Sequence, residues 1–238
     1  MSRDGSSQLP LSFEAKRSYA REDFVPGASN EAALTLVDAW PEWPARACAI
    51  AGPGGSGKTH LAHIWQTRSD AIAIAPDELS SERVTALPGG VIAMIDEADR
   101  IADETAFFHL LNFVNQTSGW LLLTGVEAPT VWPTRVPDLH SRLTALPCVE
   151  LKAPDEGLIA RVLLKLFADR QLKLPEALID YLVPRLRRSF ADAERIVVLI
   201  DRLALQQKRN ISVEIGAQAL RLLEAELAGS ADKDEGLV

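Results

Sequence analysis

The stretch GPGGSGKT, Gly52 to Thr59, fits G-x-x-x-x-G-K-[ST] at every fixed position. A short apolar run, ACAIA, precedes it, and a helical pattern follows from His60. That strand-loop-helix context is the one a phosphate-binding loop requires. Glycines let backbone N–H groups close around phosphate oxygens, and the positive end of the following helix points at them. Lys58 can reach the outer phosphates, and the Thr59 hydroxyl can ligate Mg²⁺. Gly52, Pro53, Gly54, Gly55, Ser56, Gly57, Lys58, Thr59 and His60 are therefore the candidate nucleotide contacts. The bland alternative is a glycine-rich turn with no ligand, which the flanking strand and helix patterns disfavour.

VIAMIDEADR supplies the chemistry this loop would need. An apolar run ends in Asp96 and Glu97. A carboxylate at the tip of a buried strand can hold Mg²⁺ through water, and the next acid can polarise an attacking water. Asp96 and Thr59 are the candidate metal ligands, and Glu97 is the candidate catalytic acid. The letters DEAD do not imply a helicase, because a second motor domain has no room in 238 residues. Thr124 ends the later run WLLLTG, where it could sense the γ-phosphate or simply terminate a strand. Arg142 in DLHSRL and Arg188 in RLRRSF are cations that spacing alone does not distinguish from solvated surface residues.

These residues need a scaffold, and the hydrophobic pattern describes one. Apolar runs at 47–52, 71–75, 91–96, 120–125 and 148–151 read as buried strands, with amphipathic stretches such as THLAHIWQTRS and ETAFFHLLNFVNQTS between most of them. That alternation predicts an α/β domain with a parallel sheet covered on both faces. Beyond residue 154 the strand runs stop and helical periodicity continues. Asp155, Pro175 and Ser212 are plausible helix starts, and Pro184 should end or kink a helix. The expected layout is a polar tail over 1–18, an α/β domain over 19–153, a helical lid over 154–228 and a frayed end over 229–238.

The net charge of -8 argues against strong direct DNA binding. Cys48 and Cys148 form no C-x-x-C pair and read as buried, reduced thiols. No signal peptide or membrane-length apolar run is visible, so a cytoplasmic location is expected.

The order of motifs resembles the AAA+ P-loop ATPases, and within them the DnaA branch. SYAREDFVPGASNEAAL is similar to that branch's leading segment, through Tyr19, Phe24, Gly27, Asn30 and Ala33. The resemblance implies that this segment, including Phe24 and Asn30, packs around the adenine of ATP or ADP. LLLTGVEAP resembles the sensor-1 strand end and places that role on Thr124. PDLHSRL resembles the segment holding the arginine finger, which implies Arg142. RRSFADAERIV resembles the start of the lid helix with the sensor-2 arginine, which implies Arg188. Relatives often carry Asp at the position of Val126.

QLPLSF is similar to a sliding-clamp-binding peptide, with Gln8, Leu9, Leu11 and Phe13 as its contacts. A short extended peptide can fill a fixed apolar pocket, and Pro10 lowers the entropy lost on docking. The alternative is that the peptide packs on its own domain. No DNA-binding domain is expected after the lid. Together these features resemble the Hda-type regulatory inactivators of DnaA. That resemblance implies docking on the DNA polymerase sliding clamp, stimulation of ATP hydrolysis by the initiator DnaA, and bound nucleotide with Mg²⁺. It leaves a homo-oligomer and intrinsic hydrolysis open. The competing readings are a helicase loader or transposition helper of the same branch acting on single-stranded DNA, a DNA-binding initiator, and a small-molecule kinase.

Overall fold

The computed structural model describes residues 19–234, with side chains described as far as 228. The expected clamp-binding residues Gln8, Leu9, Leu11 and Phe13 lie outside that range. The chain leads through a 3₁₀ turn at Arg21–Asp23 into helix α1 (Glu31–Ala39). Strand β1 (Ala47–Ala51) then runs through the glycine-rich loop into α2 (Lys58–Ser69). Strand β2 (Ile72–Ala73), α3 (Ser81–Thr85), β3 (Ile92–Ile95) and α4 (Glu104–Gln116) follow. Strand β4 (Trp120–Gly125), α5 (Pro137–Thr144) and β5 (Cys148–Glu150) complete the α/β unit. Helices α6 (Glu156–Asp169), α7 (Glu176–Leu182), α8 (Phe190–Gln207) and α9 (Val213–Asp234) come last.

The strands form one five-stranded sheet in the order β2-β3-β4-β1-β5, with every pairing parallel. Every residue of β1 is buried, as expected of a strand covered on both faces. Its side chains alternate between two cores. Ala47 and Ala49 join the side packed by α4 and α5, and Cys48 and Ile50 join the side packed by α1 and α2. Burying a residue such as Leu122 or Leu123, both fully enclosed, contributes about 1.5–3 kcal/mol. The run at 71–75 departs from the expectation. Only Ile72–Ala73 pair, and both are exposed, because β2 is the edge strand and a 3₁₀ turn opens at Pro76.

The helices after residue 155 build a separate core from Leu163, Phe167, Leu178, Leu182, Ile196, Ile200, Ile215 and Leu223. Their starts have the expected chemistry. Asp155 Oδ1 accepts from Leu158 N at 2.7 Å, and Ser212 Oγ accepts from Ile215 N at 3.4 Å. Helix α7 stops at Leu182, and a 3₁₀ turn containing Pro184 follows. Cys48 is buried, and desolvation pushes its thiol up to about 12. Cys148 is only half-buried, a consequence of its place on the other edge strand.

Sheet order decides where the chemistry sits. Strand β4 lies between β1 and β3, pairing Ile50 with Thr124 and Ile95 with Leu123. The phosphate-loop candidate begins where β1 ends, and Asp96 follows the last residue of β3. Thr124 is therefore set between them.

Candidate functional site

The loop from Gly52 to Gly57 turns sharply onto α2. Gly55 has φ +73° and Gly57 φ +100°, a left-handed region that favours glycine. A side chain at Gly55 would run into the Ser189 hydroxyl, and one at Gly57 would meet the Phe190 ring at 3.4 Å. Phe190 N also donates to Gly55 O at 2.8 Å. Ser189 caps α8, so the start of that lid helix rests directly on the loop. The glycines thus admit the lid as well as leaving room for a ligand.

Lys58 is buried and donates from Nζ to the carbonyls of Gly52 at 2.6 Å and Pro53 at 3.1 Å. Burial pushes its pKa down, against the opposing pull of Asp96, Asp99 and Glu97. Ser56 Oγ is buried without a hydrogen-bond partner. The first-turn amides of a helix have no intrahelical acceptor, and here they face the loop. A cation and open amides at one concavity suit a phosphate chain.

At the far side of the loop, Thr59 Oγ1 donates to Asp96 Oδ2 at 2.8 Å. Thr124 Oγ1 donates to Asp96 Oδ1, and it accepts from Glu97 N at 3.0 Å. Thr124 is fully buried. One carboxylate after β3 thus joins the end of β4 to the first turn of α2. A hydroxyl and a carboxylate are hard donors of the kind Mg²⁺ takes beside water and phosphate oxygens. Among the described residues no group of three or more His, Cys, Asp or Glu converges on a cation. Glu97 has a left-handed backbone, φ 56° and ψ 44°, and its carboxylate pairs with Arg100 at 2.7 Å. The side chain is half-exposed, so this acid is held but not sealed off.

From the loop a cavity of about 430 Å³ extends between the two units. Its walls come from Asp23, Phe24 and Val25 of the leading segment, from the loop and α2 through His60, and from α6 and α8 of the lid. Phe24 is buried and meets the His60 ring edge-on at 5.3 Å. His60 Nε2 lies 3.2 Å from Ala20 O. Burial pushes the His60 pKa down, against the raising effect of the Ala20 carbonyl and Asp23. Tyr19 stacks on His63 with centroids 4.3 Å apart. The leading segment is therefore pinned to the helix that follows the loop. An apolar slot ending in a polar phosphate cradle fits a nucleotide.

The other expected site residues lie apart from this cavity. Asn30 is buried, but Oδ1 accepts from Gly27 N at 2.8 Å and Nδ2 donates to Val25 O at 3.1 Å. Its amide holds the shape of the leading segment. Arg188 is exposed and pairs with Glu156 at 3.4 Å, outside the cavity lining. Arg142 is exposed on α5, also outside the lining. The lining residues that sequence reasoning missed are mainly on the lid: Val162, Lys165, Leu166, Asp169, Arg170, Phe190, Ala191 and Glu194, joined by Asp23 and Val25. Lys165 reaches Asp23 at 2.7 Å and Asp169 at 3.2 Å.

No family model matches the chain. It is 23% identical over 245 residues to the chromosomal replication initiator protein DnaA of Caldanaerobacter subterraneus, covering 92% of this chain. The chain spans 55% of that relative's length. Its structure matches domain III of the Thermotoga maritima replication initiation protein DnaA with a TM-score of 0.73 at 18% identity, covering 86% of this chain and 96% of that one. It also matches AMPPCP-bound DnaA from Aquifex aeolicus with a TM-score of 0.67 at 20% identity, over 90% of this chain and 70% of the other. The chain shares the fold of these DnaA structures. Among the described residues no helix is long and apolar enough to cross a membrane.

Proposed function

We propose that this chain is a nucleotide-dependent negative regulator of DNA replication initiation, of the Hda type. It docks on the DNA polymerase sliding clamp and stimulates ATP hydrolysis by DnaA. The observation that carries the reading is the cavity itself. Lys58 and Thr59 of the loop and α2 close one end of it, with Thr59 tied behind to Asp96, and lid and leading segment close the other. Similarity to DnaA, one structure of which holds AMPPCP, supports nucleotide as the ligand.

Lys58, Ser56 and the loop amides would hold the phosphates, and Thr59 with Asp96 would hold Mg²⁺. Bound Mg²⁺ would supply charge neutralisation across the phosphates. Phe24 and the apolar lid residues would enclose the base. Glu97 would orient water, and its pairing with Arg100 restrains it. Arg142 stands exposed and away from its own cavity. It is therefore free to serve a nucleotide held by another chain, where an arginine supplied in trans can raise hydrolysis by about 10³ to 10⁵.

The test is ATP hydrolysis by DnaA in the presence of clamp loaded on DNA. The chain should accelerate it, and Arg142→Ala should abolish the acceleration while retaining nucleotide and clamp binding. Acceleration by the variant equal to wild type would remove the finger assignment. Capture of a replicative helicase instead of the clamp would favour the loader reading.

A further inference from the structure

Glu104 opens α4 just beyond the acidic pair, and its side chain turns away from its own helix. Oε2 accepts from Thr134 Oγ1 at 2.7 Å, from Arg135 N at 2.8 Å and from Val136 N at 3.0 Å. Val136 is the cap of α5, and Pro137 is that helix's first residue. One carboxylate oxygen thus closes the turn that launches α5, at the helix end that favours an anion. The bonds from Thr134 and the Arg135 amide hold the Glu104 carboxyl below the usual carboxylate range, so it is ionised at neutral pH.

The other end of the same segment is tied to β4. Glu97 N donates to Thr124 Oγ1 at 3.0 Å, and Asp99 Oδ2 accepts from Val126 N at 2.8 Å. Residues 96–104 therefore form a strut from the acidic end of the site to the start of α5. Buried Leu139 and Leu143 seat α5 on the core, and Glu104 holds its first turn. Arg142 lies on the exposed face of α5, roughly 9 Å along the axis from Val136 at 1.5 Å per residue. A small change in the angle of α5 is amplified at the end of an arginine side chain.

We propose that Glu104 is a positioning residue for Arg142: by gripping Thr134–Val136 it fixes the direction in which α5 presents the guanidinium to a nucleotide held by another chain. This rests on the finger reading of Arg142 above. Misplacing a reacting group by about 1 Å can lower a rate by up to roughly 100-fold.

The experiment compares wild type, Glu104→Ala, Glu104→Gln, Arg142→Ala and the Glu104→Ala/Arg142→Ala double variant. The assay is clamp-dependent DnaA ATP hydrolysis, with ADP affinity of the chain's own cavity as the folding control. Glu104→Ala should lose about 10- to 100-fold in stimulation with ADP affinity unchanged. Glu104→Gln should recover most of the activity, because its amide oxygen still accepts from the turn. The double variant should match Arg142→Ala alone. If Arg142→Ala is impaired and Glu104→Ala is not, the positioning role is wrong. It is also wrong if the two losses multiply. If Arg142→Ala is itself fully active, the finger reading fails and takes the positioning role with it. Thr134→Val removes one of the three bonds to Glu104, together with the hydroxyl's own contacts to Val136. It leaves both backbone amides on Glu104 and should show a smaller loss, which keeps the test readable if Glu104→Ala lowers ADP affinity. A Thr134→Val variant as active as wild type, beside a Glu104→Ala variant that has lost ADP binding, would overturn the positioning role.

Discussion

Lys165 on the lid donates to Asp23 on the leading segment at 2.7 Å, across the end of the cavity away from the phosphate loop. Both side chains are about a quarter exposed, at 28% and 27%. The pair joins two segments far apart in sequence, and it can close only when the lid sits over the α/β domain. Partly screened pairs of this kind contribute up to about 1 kcal/mol. Lys165→Ala should therefore weaken ADP binding by no more than about fivefold, mainly through faster dissociation. Stopped-flow release of a fluorescent ADP analogue measures this, and an unchanged release rate would mean the pair does not hold the lid.

The same pair gives a pH expectation with a definite sign. The bond from Asp23, with Asp169 adding to it, raises the Lys165 pKa above its ordinary 10.5. Stability from a raised lysine is present below the unfolded value and lost as pH rises through the folded one. The difference in melting temperature between wild type and Lys165→Ala should hold steady from pH 7 to 9 and shrink above about 10.5. A difference that already changes between pH 7 and 8 would point to another group.

Asp96 accepts from Thr59 on one oxygen and from Thr124 on the other. In Asp96→Asn the amide oxygen can keep one of these bonds, but the NH₂ brings a donor to a hydroxyl that already donates. The fold should survive, because the hydroxyls can rotate, but the hard anionic ligand is gone. Wild-type affinity for ADP should tighten on adding Mg²⁺, and the affinity of Asp96→Asn should not. Calorimetry with and without EDTA decides this, and equal Mg²⁺ dependence in the two proteins would remove Asp96 from the metal site.

The assembly of the loop with the acidic strand end is legible in the sequence because the parts of each are contiguous. GPGGSGKT and VIAMIDE each fix type and spacing within a few residues, and a parallel sheet brings their strand ends together. The lid end of the cavity is not legible. Asp23, Lys165 and Glu194 come from a 3₁₀ turn and two amphipathic helices whose local patterns show only solvated charges, and their meeting depends on how the lid docks. Asn30 shows the opposite limit. The family resemblance puts it beside the base, yet both amide atoms are engaged within the leading segment. In sequence Glu104 belongs only to an amphipathic helix, because its partners at 134–136 are joined to it by tertiary structure alone. The edge strand β2 was overestimated, since an apolar pentapeptide does not reveal its place in the sheet.

Gly55 offers a further test of the lid contact. Its φ of +73° costs an alanine about 1–2 kcal/mol, and the added carbon would meet the Ser189 hydroxyl. Gly55→Ala should push the start of α8 off the loop and lower both melting temperature and ADP affinity. Ser189→Gly in the same chain should restore part of the affinity, since it removes the obstruction and leaves only the backbone strain. Glycine is a tolerable helix cap in place of serine. No recovery in the double variant would show that strain, not the lid, sets the defect.

The last prediction concerns Gln8, Leu11 and Phe13, which precede the described residues. Tyr19 and Ala20 are already engaged with His63 and His60, so the domain's own contacts are in place downstream of QLPLSF. Changing the three residues to alanine should leave melting temperature and ADP affinity intact. It should remove clamp binding, because a few anchors carry most of a short peptide's affinity. Stimulation of DnaA should then fall at low concentration and recover at high concentration, since docking on the clamp chiefly raises local concentration. Surface plasmon resonance on immobilised clamp, beside thermal melting, separates the outcomes. A large drop in melting temperature would place the peptide in the core, and unchanged clamp binding would mean that the clamp is not its partner.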